Sequence, residues 1–318
     1  MASALPIIDF SGFATASPAQ RQQVGAAIGQ ACGEAGSFYL IGPVIGPTLT
    51  SNAFAAAKQF FDLPASAKAD IAIEKSPCHR GWFALGGEVL DAAQQPQGDY
   101  KEGIKIGCDL PASHSRVAAG TPLHGANQWP AIDNWQASMQ AYYDACSDLS
   151  RQLMQGFALS LGLADDYFAQ YLSLPMATLG PLYYPPRGDE ASLSAGAHTD
   201  FGCLTLLAQQ EIEGLEVLSK RGDWKVVPVR GDALVVNIGD MLARWTNDLY
   251  ASTQHRVVNR SDKPRYSMAF FYDPDPDADL TPLPGCLASG ATPHYSPATC
   301  LSHLLQKIEE SFAYRQTT

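Results

Sequence analysis

The stretch His198-Thr199-Asp200-Phe201-Gly202-Cys203-Leu204-Thr205-Leu206-Leu207 sets an imidazole and a carboxylate two residues apart, immediately before an apolar, β-rich run. Alternate residues of an extended strand point the same way, so His198 and Asp200 are expected to converge on one ion while Thr199 faces elsewhere. Further along, His255-Arg256-Val257 opens a second apolar run, and Arg265-Tyr266-Ser267 follows it. Two imidazoles and one carboxylate occupy one face of an octahedral metal and leave three positions open, a donor set that suits Fe(II). The same two-residue period puts Arg265 and Ser267 on one strand face. There a planar guanidinium fork and a hydroxyl donor suit a carboxylate.

Each fragment alone has a bland reading. A His beside an Asp in a loop is common, and His255 at the head of an apolar run reads equally as a buried imidazole bonded to a backbone carbonyl. Order and context give the fragments weight. Short runs recur at Cys203–Ala208, Leu215–Leu218, Trp224–Val229, Ala233–Ile238, His255–Val258 and Tyr266–Tyr272, separated by Gly, Asp and Asn. Many short strands at close spacing predict a sandwich or jelly roll.

Upstream the pattern is mixed. Residues 5–10 read as a strand, and Ser17-Pro18 as a cap and first helical position. Val24, Ala27, Ile28, Ala31 and Cys32 continue at helical spacing up to Gly36. Phe38–Ile41 predicts a strand, Thr50–Phe61 a helix, and 76–128 loops with a short strand near Lys101–Ile106. Trp135, Met139, Tyr142, Cys146, Leu149, Leu153 and Phe157 advance by three or four residues, predicting a long core-packed helix over Ile132–Leu161. Leu301, Leu304, Leu305, Ile308 and Phe312 mark a last helix after Pro297. Asp273–Asp279 reads as a solvated loop.

Composition bounds the function. A chain of 318 residues buries a sizeable core. Its net charge of −11 argues against a phosphate-tracking surface, so no nucleic-acid partner is expected. Seven scattered cysteines without a CxxC pair signal neither a disulfide framework nor a zinc cluster. With no secretion signal and no apolar run near the ~18 residues of a membrane span, a cytoplasmic protein without a membrane partner is expected. Oligomeric state is not readable.

In combination these words resemble the isopenicillin-N-synthase-like and plant-type Fe(II)/2-oxoglutarate-dependent dioxygenases. Leu5-Pro6-Ile7-Ile8-Asp9-Phe10, Phe60-Phe61-Asp62-Leu63-Pro64, His79-Arg80-Gly81-Trp82 (Trp where Tyr is usual), Lys101-Glu102 and Tyr183-Tyr184-Pro185-Pro186 extend the likeness to nearly the whole chain. The implied fold is α+β. A double-stranded β-helix (jelly roll) carries flanking helices and a helical/strand N-terminal extension. Residues 1–125 form the extension, and 126–318 the helix, jelly-roll core and C-terminal helix, in one compact unit.

The resemblance implies His198, Asp200 and His255 as ligands of Fe(II), with O2 and 2-oxoglutarate as co-substrates. Arg265 and Ser267 would hold the far carboxylate of 2-oxoglutarate, with Tyr184 as a further contact. Decarboxylation to succinate and carbon dioxide would drive hydroxylation, desaturation or ring closure of a small-molecule substrate. Phe271 shares strand parity with Ser267, and its family position lies over the substrate. Trp82, Arg187 and Trp245 are further candidates for the pocket wall or lid, and Asn237 for support of His198 or Asp200. All of these have an ordinary packing alternative. Leu182 stands where the family often has Asn, so that hydrogen bond must come from elsewhere. Three other readings stay open: a same-fold Fe(II) oxidase not using 2-oxoglutarate, a non-catalytic jelly-roll binding or sensory protein, and a zinc hydrolase lacking an evident general base.

Overall fold

Twelve strands frame the residues that the computed structural model describes, 5–42, 45–186 and 193–315. In chain order they are β1 (Ile7–Asp9), β2 (Ser37–Ile41), β3 (Gly81–Phe83), β4 (Glu102–Gly107), β5 (Met176–Tyr184), β6 (Ala195–His198), β7 (Leu204–Gln209), β8 (Leu215–Leu218), β9 (Trp224–Val226), β10 (Ala233–Ile238), β11 (His255–Val257) and β12 (Arg265–Asp273). The larger sheet runs β1-β2-β10-β7-β12-β5-β4-β3 and the smaller β6-β11-β8-β9. Apart from the parallel β1–β2 pair, neighbouring strands are antiparallel. The two sheets form a jelly roll within an α+β fold. Strands on both sides of residue 125 share the larger sheet, since β2 pairs with β10 and β4 with β5.

Among the described residues, seven helices accompany the sheets: α1 (Pro18–Glu34), α2 (Pro47–Phe61), α3 (Ala65–Lys68), α4 (Ser115–Ala118), α5 (Trp135–Ser160), α6 (Asp240–Trp245) and α7 (Cys300–Ser311). Ser17 starts α1 with a reciprocal cap. Its Oγ accepts from the Gln20 N–H, and its own N–H donates to Gln20 Oε1. Gly36 then leaves the helix at φ +63°, where an added Cβ would sit 2.1 Å from Ala251 O.

Strand parity decides what faces the interior. In β12, Met268, Phe270 and Tyr272 are fully buried in the main core, and the ring centroid of Phe270 lies 5.2 Å from that of Tyr143 on α5. The alternate residues Arg265, Ser267, Ala269, Phe271 and Asp273 line a cavity between the sheets. A second core cluster joins Leu207, Val235 and Ala269 of the larger sheet to Leu215 and Val217 of the smaller one. The apolar stripe of α5 is buried as its spacing predicts.

Several local expectations are corrected. The helix expected from Thr50 begins at Pro47, whose fixed φ suits a first turn. The last helix does follow Pro297, starting at Cys300 with Thr299 as its cap, the Thr299 side chain accepting from Ser302 N. The segment expected as loops contains β3 and α4. From Pro274 the Asp273–Asp279 stretch is a loop, but it is only half solvated: Asp273, Pro274, Pro276 and Ala278 are buried, while Asp277 and Asp279 are exposed. Two of its carboxylates serve the backbone, Asp273 accepting from Cys203 N at 2.6 Å and Asp275 from Ser173 N and Leu174 N.

Candidate functional site

β6 and β11 are paired so that His198 stands directly opposite His255. Their ring centroids are 4.2 Å apart. Asp200 lies two residues beyond the end of β6. One of its oxygens lies 3.9 Å from His198 Nε2 and 3.5 Å from His255 Nε2. Among the described residues this is the group of His, Cys, Asp or Glu whose ligand atoms cluster tightly enough for a metal, all within 4.8 Å of one another.

The imidazoles are pre-oriented. His198 Nδ1 is 2.8 Å from Gly196 O, and His255 Nδ1 is 3.3 Å from Thr253 O. A carbonyl only accepts, so each Nδ1 carries the proton and each Nε2 keeps a lone pair facing the other ligands. Burial, and then the neighbouring His255, push the His198 imidazole down to about 3 against the pull of Asp200. The ring is therefore neutral, as ligation requires. The donor set fits iron: two neutral nitrogens and one carboxylate oxygen gathered on one side of a cavity. Asn237 Nδ2 stands 3.5 Å from the other Asp200 oxygen, at the outer limit of a hydrogen bond.

Deeper in the cavity, Arg265 is 1% exposed and has no carboxylate beside it among the described residues. Its Nη2 donates to Gln209 Oε1 at 2.9 Å, and its guanidinium carbon lies 4.8 Å from the centroid of the Tyr184 ring. Nε, Nη1 and the Ser267 hydroxyl have no hydrogen-bond partner among the described residues. Burial lowers the Arg265 pKa, with Tyr184 opposing. A fully buried cation with idle donors costs free energy until an anion arrives.

The other candidates separate. Phe271 faces the cavity. Trp82 does not line it: its indole N–H donates to Glu102 Oε2 at 2.6 Å, beside the Lys68–Glu102 ion pair. Trp245 is also outside the lining, in α6 against the rings of Phe168 and Tyr171. Arg187 falls outside the described residues.

One cluster escaped the sequence reading. Glu88, Lys101 and Lys105 line the cavity near His198. Lys101 Nζ is 2.9 Å from Glu88 Oε2 and also bonds Asp99. Asp99 Oδ1 in turn accepts from Gly196 N, on the strand that carries His198. An Ile-Lys-Ile alternation reads as a solvated lysine. The available signal was Gly103-x-Lys105-x-Gly107, a lysine with glycine on either side of it on the same face.

Comparison with known proteins agrees with this geometry. Residues 5–132 match the family model described as the N-terminal region of the non-haem dioxygenase in morphine synthesis, and residues 134–274 match that of the 2OG-Fe(II) oxygenase superfamily. A 2-oxoglutarate-Fe(II) type oxidoreductase of Emericella nidulans is 36% identical over 307 residues, covering 93% of this chain and 87% of that protein. A homoarginine-6-hydroxylase of Arabidopsis thaliana is 33% identical, covering 88% and 80%. The crystal structure of a full-length Neurospora crassa protein in complex with alpha-KG and thymine superimposes with a TM-score of 0.85 at 29% identity, covering 96% of each chain. No described helix is long and apolar enough to cross a membrane. The chain belongs to the 2OG-Fe(II) oxygenase superfamily and is an Fe(II)- and 2-oxoglutarate-dependent dioxygenase.

Proposed function

We propose that His198, Asp200 and His255 hold the iron, that Arg265, Ser267 and Tyr184 hold 2-oxoglutarate, and that a small organic molecule is oxidised beneath Phe271. The observation that carries this reading is the Arg265 guanidinium, fully buried with two of its nitrogens idle. A carboxylate arriving there would restore the lost hydrogen bonds and neutralise the charge. Each hydrogen bond to a charged group contributes roughly 1.5–3 kcal/mol. The carbonyl-bound Nδ1 atoms fix both imidazoles in the ligating tautomer without rearrangement when metal enters.

When bound, iron with dioxygen and 2-oxoglutarate supplies the oxidation of a substrate C–H bond, with one oxygen atom going to succinate and the other to product as carbon dioxide leaves. The chain supplies orientation and exclusion of water. Arg265 and Ser267 lie on β12, two residues apart and facing one way, so the far carboxylate is gripped at a fixed distance from the His–Asp–His group. Leu207, Leu215, Val257 and Ala269 keep the walls between them apolar. The Neurospora protein takes thymine beside alpha-KG, which supports a small primary substrate, and the relative named a homoarginine-6-hydroxylase supports hydroxylation as the outcome, ahead of desaturation or ring closure.

The test is anaerobic titration with Fe(II) and 2-oxoglutarate. A weak visible charge-transfer band should appear, and on admitting oxygen succinate should be released. No band in the wild type, or an unchanged band in Arg265→Met, would overturn the clamp.

A further inference from the structure

Strand β4 carries a single lysine on a face otherwise made of glycine. Ile104 and Ile106 are fully buried in the main core, while Lys105 lines the cavity. A side chain at Gly103 would meet the Phe83 ring at 2.6 Å, and one at Gly107 would meet Arg80 at 2.0 Å. Across the ladder, the register Gly103–Leu182 and Ile106–Leu179 sets Lys105 against Gly180, which in turn pairs with Ala269. Phe83 and Arg80 fill the space over the two flanking glycines, while Gly180 and Ala269, both lining the cavity, add little bulk beside the lysine.

Three rings surround it. Lys105 Nζ is 5.3 Å from the centroid of Phe271, 5.5 Å from Phe83 and 5.8 Å from Phe312. Among the described residues its one anionic contact is loose, 3.4 Å to Glu88 Oε1, because Glu88 Oε2 is held at 2.9 Å by Lys101. An ammonium has three donors, so Lys105 keeps hydrogen-bonding capacity for a guest. A donor and an acceptor thus stand side by side, facing the same cavity as the His–Asp–His group and flanked by flat rings.

We propose that Lys105 and Glu88 read one edge of the primary substrate, and that this substrate is a flat, uncharged cyclic amide or imide. Its carbonyl oxygen accepts from Lys105 Nζ, the adjacent ring N–H donates to Glu88 Oε1, and the ring lies against Phe271 or Phe312. Glu88 selects against a ring carboxylate here. The buried Arg80 guanidinium over Gly107 joins Lys101 and Lys105 against the two acids Glu88 and Asp99, yet a carboxylate accepting from Lys105 would crowd Glu88, 3.4 Å from that ammonium, with a like charge. The inference rests on reading the cavity as the oxygenase site, and it names the chemistry of that site's second ligand.

Calorimetric titration of the Mn(II)-loaded protein with 2-oxoglutarate present tests it. Thymine and uracil should bind the wild type. 1,3-Dimethyluracil, which lacks the N–H, should bind at least tenfold more weakly, and so should benzoate. Lys105→Met should weaken thymine and uracil roughly tenfold or more, the size expected for loss of one hydrogen bond to a charged group. Melting of the unliganded variant checks its fold, with Lys105→Gln as the second variant should Met misfold. Benzoate binding more tightly than both imides, undiminished imide binding to folded Lys105→Met, or no imide binding to the wild type would each overturn the proposal. Binding of 2-oxoglutarate to Mn(II)-protein without imide is titrated separately, so failure of the oxygenase reading is seen independently.

Discussion

His198 and His255 are direct cross-strand partners in the smaller sheet, their ring centroids 4.2 Å apart and each Nδ1 turned onto a backbone carbonyl two residues upstream. The imidazoles are therefore placed by sheet pairing, and only Asp200 reaches the site from outside a strand. A site with two of its three donors on paired strands needs little ordering before it binds metal.

In the proposed site Asp200 would supply the one charged donor, so its removal should weaken metal binding most. Loss of a residue that merely orients a ligand costs 10- to 100-fold in metal affinity. Asp200→Ala should therefore lose on the order of 100-fold or more in Mn(II) affinity by calorimetry and in Fe(II)-dependent succinate release. A variant with wild-type metal affinity would remove Asp200 from the site.

Arg265 should trade stability for binding. In the ligand-free protein its guanidinium is buried without an anion. Arg265→Met keeps most of the volume and removes that desolvated charge, a change that is often neutral or stabilising. Its unliganded melting temperature should equal or exceed that of wild type, while its 2-oxoglutarate affinity falls roughly 10- to 100-fold. Saturating 2-oxoglutarate at 100 times its Kd should stabilise the wild type by about 2.7 kcal/mol and the variant far less. A variant that melts well below wild type yet binds 2-oxoglutarate normally would make Arg265 a structural residue.

What could be read beforehand follows the range over which each signal acts. Arg265, Ser267 and Phe271 share a face because a strand has period two, a local rule that their spacing obeys. The core stripe of α5 is equally local. β5 was hidden by Gly180 and Pro181, residues that disfavour a strand interior, although it pairs with β12 along its full length. β6 was hidden because Ala195-Gly196-Ala197 contains no branched or aromatic residue. Lys105 was passed over because alternation assumes one solvated face, whereas β4 has core on one side and cavity on the other. Trp82 came with its family word and Trp245 as a large aromatic, and neither signal says which cavity a ring faces.

Asp273 gives the metal-free protein a pH signature. Burial raises its carboxyl from 3.8 to about 7, against the Cys203 N–H that bonds it, with Asp200 adding to the rise. The folded pKa lies above the unfolded one, so folding takes up a proton. The corresponding stability is fully present below about pH 4 and is lost as pH rises through 7. Asp273→Asn keeps an oxygen for Cys203 N but does not ionise. In chelator-treated protein the variant should gain on wild type between pH 4.5 and about 7 in urea melts and hold that gain above it. Parallel pH profiles for the two proteins would refute the shift.

Trp245 tests whether a large buried aromatic outside the cavity serves stability alone. It is 1% exposed, with ring centroids 5.3 Å from Phe168 and 5.1 Å from Tyr171. Its backbone carbonyl also accepts from Leu283 N. Truncation at such a position costs about 3–5 kcal/mol, so Trp245→Ala should lower the melting temperature by roughly 10 °C. Trp245→Phe retains one ring in the cluster and should cost less. Both variants, assayed well below their melting points, should keep the wild-type KM for 2-oxoglutarate, because no cavity wall has changed. A raised KM with unaltered melting would return Trp245 to the wall of the cavity that takes 2-oxoglutarate.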